Sequence, residues 1–295
     1  MMIQISLLAG RAGLRRPAVE AGLVPIGRTI SMLGFVALLL TFFPSCGRRA
    51  ELLDSAQTAW DVNDFSLAAD RYEEFLKSNP HHEQTAMARF RVANVYYYNL
   101  KSYEKAIQHY IHLIEDFPKS PDVVSSRLRL AECYVALTKR REAINEYESL
   151  LDAPGGEIDA RRIRLNIADL YYDINDLGQA LAEYEKVTKD SAYDELNERA
   201  WLRIASIRFL RDEFEEALSA FKVVAEGAQD HAVRRQARLG VADCYARTFQ
   251  YDLAVGTLEK TEPDPTLPDY LKQRIASIKD EQRQRNFSLT QTTRP

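Results

Sequence analysis

Six alanines recur along the middle of the chain at a nearly constant interval. Ala68, Ala106, Ala143, Ala180, Ala217 and Ala254 are separated by 38, 37, 37, 37 and 37 residues. Four residues after each stands a bulky side chain: Tyr72, Tyr110, Tyr147, Tyr184, Phe221 or Leu258. Twelve residues before each, or thirteen in the second copy, stands another alanine: Ala56, Ala93, Ala131, Ala168, Ala205 or Ala242. Self-similarity at such a period marks a repeat architecture in which each copy is one supersecondary unit. One unit cannot bury its apolar faces alone, so the copies must stack.

The chemistry of the repeat positions points to helical hairpins. Small residues belong where two helices cross closely, because a larger side chain would push the backbones apart. The bulky residue one turn later fills the gap against the next pair. Three residues before five of the second-helix alanines stands another large group, Phe65, Tyr103, Leu177, Phe214 or Tyr251; Arg140 breaks the pattern in the third copy. Gly and Pro are sparse, at 12 and 11 residues, and Leu, Ala, Glu, Arg and Tyr dominate, which suits long helices. In the second copy the pattern predicts helix A over Ala86 to Tyr98, a turn at 99–102, and helix B over Tyr103 to Glu115. Pro80, Pro118, Pro121 and Pro154 fall at the exits of hairpins, where a helix cannot continue.

These residues resemble the tetratricopeptide repeat (TPR). The resemblance is carried by Ala131-Glu132-Cys133-Tyr134 in helix A, by Tyr103, Ala106 and Tyr110 in helix B, and by the terminal Pro118. It covers about 210 of 295 residues. It implies an all-α fold, a right-handed α-solenoid of six TPR-like helical hairpins over residues 53–262, whose function is to bind other proteins. The long period and the junctions at Asn79-Pro80 and 117–121 look like those of bacterial envelope TPR lipoproteins of the barrel-assembly or Tol–Pal-associated type. Beyond the sixth copy, Pro263, Pro265 and Pro268 bracket a loop. A capping helix is expected within residues 263–285, with Leu271, Ile275 and Ile278 on one face, followed by a flexible tail over residues 286–295.

The first 45 residues read as a targeting segment. Ile30 to Phe43 is a 14-residue run without charge. A membrane span needs about 20 residues, whereas this length suits the apolar core of a signal peptide preceded by Arg28. The run ends in Phe43-Pro44-Ser45-Cys46, which resembles the lipobox of bacterial lipoproteins, although Phe43 stands where an aliphatic residue is usual. The resemblance implies lipidation at Cys46, with 46–52 as a short linker. An ordinary signal peptide or an uncleaved anchor is the alternative. A start near Val24 would leave a compact signal, so the first 23 residues read as an over-extended start. Gly47, where an Asp would favour inner-membrane retention, directs the expectation to the outer membrane, facing the periplasm.

If the hairpins follow the family, two rows of helix A face the concave surface. One turn after the helix A alanine come Trp60, Tyr97, Val135, Tyr172, Phe209 and Ala246. Immediately after that alanine come Gln57, Asn94, Glu132, Asp169, Ser206 and Asp243. Rings beside amides and carboxylates suit an extended peptide or a partner helix. The candidate partner-binding residues are Trp60, Asn94, Tyr97, Tyr98, Glu132, Asp169, Tyr172 and Phe209. The competing reading has the rings packed between helices and the polar row simply solvated. Arg89, Arg127, Arg164 and Arg238 form a ladder four residues before the helix A alanine. It reads as a salt-bridged face, with binding of acidic segments or lipid phosphate as the alternative.

Other constellations read as structural. His109 and His112 share a helix face, but convergent third and fourth zinc ligands are lacking, so they read as surface histidines. Cys133 and Cys244 occupy one repeat position three copies apart, too distant for a disulfide, and read as core thiols. No nucleophile elbow, phosphate loop or dinucleotide fingerprint is present. Net charge is −4, and the first 45 residues carry Arg11, Arg15, Arg16 and Arg28 against Glu20, so the body is more acidic than the whole. That disfavours nucleic acid as a partner. The expectation is a lipid-anchored periplasmic scaffold without enzymatic activity, cofactor or metal. Its partners would be proteins, an outer-membrane assembly component among them. The alternatives are a regulatory or recruiting subunit for a cell-wall enzyme, or a cytosolic adaptor if the N-terminal segment is not a signal.

Overall fold

The computed structural model describes residues 44–152, 158–189 and 193–292. The signal segment up to Phe43, the side chain of Cys46 and Pro154 lie outside the described residues. Ala50–Pro295 forms one compact unit, which holds the whole repeat array.

Thirteen α-helices follow one another among the described residues, and no strand is present among them. They are α1 (Pro44–Asp61), α2 (Phe65–Ser78), α3 (Thr85–Asn94), α4 (Tyr103–Asp116), α5 (Val123–Ala136), α6 (Arg140–Leu151) and α7 (Ala160–Asp173). Then come α8 (Leu177–Thr188), α9 (Glu195–Leu210), α10 (Phe214–Gly227), α11 (His231–Arg247), α12 (Tyr251–Glu259) and α13 (Tyr270–Thr292). From α1 to α12 they alternate as helix A and helix B of six hairpins. From α3 onward each packs mainly on its neighbour in sequence, as in a TPR solenoid.

All twelve repeat alanines have no exposed surface, which is the close-crossing role the pattern predicts. The bulky residues that follow them, from Tyr72 to Leu258, are buried too. Core clusters run from hairpin to hairpin: Tyr110 of the second packs with Leu130 and Cys133 of the third, and Phe221 of the fifth with Val241 and Cys244 of the sixth. Cys133 and Cys244 are free, fully buried thiols, and burial pushes both up to about 12.

The turn between helices A and B has a left-handed residue at the same place in every hairpin. Asn63, Lys101, Thr138, Asn175, Asp212 and Phe249 each adopt a left-handed conformation, with φ between 51° and 64°, at intervals that match the alanine period. In five of the hairpins the residue after it donates its N–H to a carbonyl five residues back: Asp64 to Ala59, Lys139 to Tyr134, Asp176 to Tyr171, Glu213 to Arg208, and Gln250 to Tyr245. This is the Schellman closure of a helix C-terminus. The second hairpin differs: Ser102 N–H reaches Tyr96 O, six residues back. The extra residue between Ala93 and Ala106 is absorbed as a π-helical turn, Val95–Asn99, that continues α3.

Two boundaries and one burial differ from the sequence reading. Residues 46–52 are not a linker, because α1 begins at Pro44 and carries the helix through them; Leu52 and Leu53 are buried in the first core cluster. Helix α13 buries Leu271 and Ile278 against Ala242, Ala246, Tyr251 and Leu258, as a cap on the sixth hairpin. It then runs on to Thr292, so most of the expected tail is helical. His109 is not a surface residue. It is buried, stacked on Tyr96 with ring centroids 5.7 Å apart, and bonded to Glu73 at 2.9 Å across the first and second hairpins. The bulky ring suits that junction, and Glu73 supplies the polar partner that an imidazole in the interior needs.

Candidate functional site

The helix A face is built from four repeat positions whose side chains interlock between neighbouring hairpins. The row directly after the helix A alanine is held from inside the chain. The helix B tyrosine has an apolar body in the core and a hydroxyl tip that emerges beside helix A. Tyr110 donates to Asn94 at 2.7 Å, and Tyr184 donates to Asp169 at 2.5 Å. Burial and the bond to Asp169 push the Tyr184 phenol well above its ordinary range. A tyrosine rather than a phenylalanine at this position is thus explained by the polar row it meets.

Glu132 accepts from Tyr97 at 2.9 Å and from Arg129 at 2.7 Å. Asp169 also accepts from Arg199 at 2.9 Å, with Arg203 at 3.7 Å. So Asn94, Glu132 and Asp169 already serve partners within the chain. Their first role is to fix the face.

The rings of the other row are half-buried. Trp60 packs edge-on against Phe65, and Phe209 against Phe214, each pair with centroids 5.4 Å apart. Tyr97 packs on Tyr98 at 4.6 Å and on Tyr103 at 6.0 Å. Burial raises the Tyr97 phenol, helped by its bond to Glu132. Tyr98 is 44% exposed. The π-helical turn explains this doubling. Counted from Ala93, the row position is Tyr97; counted back from Ala106, it is Tyr98. The inserted residue therefore places two tyrosines at one site, and π-turns of this kind recur at functional positions.

One row was not singled out in the sequence. Two residues before the helix A alanine stand Arg91, Arg129 and Arg203. Each reaches back over the preceding hairpin. Arg91 donates to Gln57 at 3.3 Å and approaches the Tyr72 hydroxyl at 3.5 Å. The Arg129 guanidinium lies 5.8 Å from the Tyr97 ring and 5.2 Å from the Tyr98 ring. Arg203 lies 4.8 Å from the Tyr172 ring. The cap helix repeats the device, with Arg274 on Asp243 at 2.7 Å. The signal was present as an in-phase recurrence, but interruptions at Asn166 and Gly240 hide it.

The other arginine ladder is structural. Arg89 pairs with Asp116 at 3.6 Å, Arg127 with Glu146 at 2.8 Å and Arg164 with Glu183 at 3.1 Å, each from helix A to helix B of its own hairpin. Arg238 donates to the Lys260 carbonyl at 3.0 Å. Among the described residues, no group of three or more His, Cys, Asp or Glu side chains is placed to hold a metal ion. Among them, too, no helix is long and apolar enough to cross a membrane.

Comparison with known proteins bears on this architecture. The family model for the tetratricopeptide repeat matches residues 53–121, 128–194 and 165–232. No curated protein matches the chain by sequence. Solved structures share the fold at low identity. A tetratricopeptide repeat protein from Parabacteroides merdae aligns at 16% identity and a TM-score of 0.50, over 80% of this chain and 88% of that one. The C-terminal part of a TPR protein from Cytophaga hutchinsonii aligns at 16% identity and 0.53, over 71% and 77%. YrrB, described as a TPR protein with an unusual peptide-binding site, aligns at 19% identity and 0.50, over 70% of this chain and all of that one.

Proposed function

We propose a function from the premise that this chain belongs to the tetratricopeptide repeat family: it is a scaffold that captures a protein partner on its helix A face, without catalysing a reaction. The observation that carries this reading is the in-register row of rings from Trp60 to Phe209, held half-buried by a lattice of internal hydrogen bonds and arginine contacts. A face fixed in this way is pre-organised, so a partner that docks there loses little to ordering it. The peptide-binding site described for YrrB supports the same use of the fold.

We place this scaffold in the cell envelope, lipid-anchored through Cys46 at the outer membrane and facing the periplasm, in envelope assembly or maintenance. The support is the sequence alone: the uncharged run from Ile30 to Phe43, Arg28 before it, and the small residue ahead of Cys46. A role in barrel assembly or beside the Tol–Pal system is the finer form of this reading.

The test is capture from solubilised envelope. Tyr98→Ala combined with Phe209→Ala removes two rings that the helix A face presents. Binding hot spots are few and aromatic, with losses of about 2 kcal/mol or more on truncation. The double variant is expected to lose most of the captured partner, with the melting temperature nearly unchanged. Capture at full strength by a folded double variant overturns this placement of the surface.

A further inference from the structure

Helix α13 repeats the register of a helix A. Ala276 stands 34 residues after Ala242, and Arg274, two residues before it, reaches back to Asp243 at 2.7 Å, as Arg203 reaches back to Asp169. Leu271 and Ile278, five residues before and two after, are buried on the sixth hairpin. The same two offsets are buried in earlier helices A, as Ile163 and Leu170 of α7 and Ala237 and Cys244 of α11. What differs is the alanine itself. The six helix A alanines have no exposed surface, because helix B of the same hairpin crosses there, whereas Ala276 is exposed.

The face around Ala276 is the one that helix B covers elsewhere. Four residues before the alanine stands Lys272, where the second to fourth hairpins hold Arg89, Arg127 and Arg164. Those arginines pair with acids of helix B. In the third and fourth hairpins the acid, Glu146 or Glu183, stands three residues after the helix B alanine. Lys272 is 83% exposed and bridges Asp269, three residues back, at 3.4 Å. Lys279 and Arg283 continue the face at helical spacing. Arg283 bridges Asp280 within the helix, and Lys279 has no ion-pair partner among the described residues. Exposed pairs of this kind hold weakly. Over its whole length α13 carries five basic residues against Asp280 and Glu281, although the chain as a whole is acidic. Phe287, 65% exposed, lies on the same face about three turns past Ala276.

We propose that this outer face of α13 docks an acidic amphipathic helix of a protein partner, which takes the position of a seventh helix B. A small residue of that helix sits on Ala276, where the two backbones cross closely. A glutamate three residues later meets Lys272, as Glu183 meets Arg164. Acids in the first turns of the partner helix meet Lys279 and Arg283, and an apolar side chain near its start covers Phe287. The chain's own helices B set the pattern, and the positive charge of α13 selects an acidic helix. This site is the end of the solenoid, separate from the row of rings, and it does not depend on capture there.

The test uses the full-length chain in detergent and a hydrocarbon-stapled peptide of Leu177–Thr188, the helix B that carries Ala180 and Glu183. Saturable binding to the wild type, read by fluorescence polarisation, is expected. Ala276→Arg blocks the crossing at an exposed helix position, so the melting temperature should hold while affinity falls about tenfold or more. Lys272→Glu should weaken binding about threefold. A peptide with Glu183→Lys should bind that variant better than it binds the wild type. The chain with Tyr98→Ala and Phe209→Ala should bind the peptide unchanged, whatever becomes of capture on the helix A face. No binding, or binding that Ala276→Arg leaves unchanged, overturns the docking face and leaves the helix A face untouched. Binding that the ring variants abolish places the peptide on the rings and overturns the proposal too. Self-association of the wild type that Ala276→Arg abolishes would make a second copy the occupant, against the partner helix proposed.

Discussion

The left-handed residues show how much an individual position can cost in a repeated turn. Asn63, Asn175 and Asp212 are residue types that tolerate this conformation, because a short polar side chain can bond locally. Lys101, Thr138 and Phe249 are not, and Thr138, with φ at 57°, is the worst placed because it is β-branched. The turn imposes the conformation at every copy, whichever residue stands there. Thr138→Asn is therefore expected to stabilise the chain by about 1 kcal/mol. In a domain of this size that raises the melting temperature by roughly 2–4 °C. An unchanged melting curve would show that the turn relaxes around threonine at no cost.

Two elements depend on their ends and their phase. Helix α9 is capped at its start by Asp194, whose Oδ1 accepts the Asn197 N–H at 3.0 Å. Both carboxylate oxygens also accept from Arg161 of α7, at 2.7 and 2.8 Å. The bond to Arg161 first, and the Asn197 N–H second, hold the Asp194 carboxyl down at about 2. Its folded form thus favours the anion. The stability this contributes is complete above the ordinary carboxyl value near 4 and is lost as pH falls through about 2. The pair is exposed to water, so the contribution is about 1 kcal/mol or less. Asp194→Asn should lower the melting temperature slightly at neutral pH, and the gap to wild type should close between pH 4 and pH 2. A gap independent of pH would assign the effect to the cap geometry alone.

The phase of α3 is the second case. Deleting Tyr98 returns the second copy to the spacing of the others, so the π-helical turn can revert to α-helix with the core faces in register. This deletion is expected to leave the helical circular dichroism intact. Deleting Val135, its counterpart in α5, should instead cost several kcal/mol, because it removes a residue from a helix end that has none to spare and breaks the closing turn, in which the Val135 carbonyl accepts the Thr138 N–H at 2.9 Å. Equal damage from both deletions would mean that the extra residue is structurally required.

At the scale of the whole molecule, six similar hairpins make a surface that is periodic in backbone and aperiodic in chemistry. The same positions carry Tyr97 and Tyr98, Val135, Tyr172 or Phe209, and an arginine lid that is present or absent. Specificity in such a scaffold lies in the departures from the repeat. The attachment of the molecule is tested by Cys46→Ser. Each buried CH₂ of a lipid chain contributes about 0.8 kcal/mol to membrane binding, so loss of acylation should move the protein from the membrane pellet to the soluble periplasmic fraction. A variant that stays in the pellet after a carbonate wash refutes the lipid anchor.

By itself the sequence determined the hairpin number, the stacking and the buried alanines. Those follow from a spacing that admits few packings, and Ala143 or Ala180 can be located without coordinates. The row Trp60, Tyr97, Tyr172, Phe209 was legible for the same reason. Whether its polar neighbours face a partner or their own chain was not, because that depends on long side chains reaching across hairpins. Tyr184 binding Asp169 and Arg203 lying over Tyr172 are such contacts. His109 was misplaced because its partners, Glu73 and Tyr96, come from different helices, and only their packing takes the imidazole out of water. The thirteen-residue spacing announced an insertion in the second copy. Only the tertiary structure decided to spend it on a π-turn in helix A, since both ends of that helix are pinned by buried alanines and a fixed turn, and the one free place for an extra residue is the last turn between them.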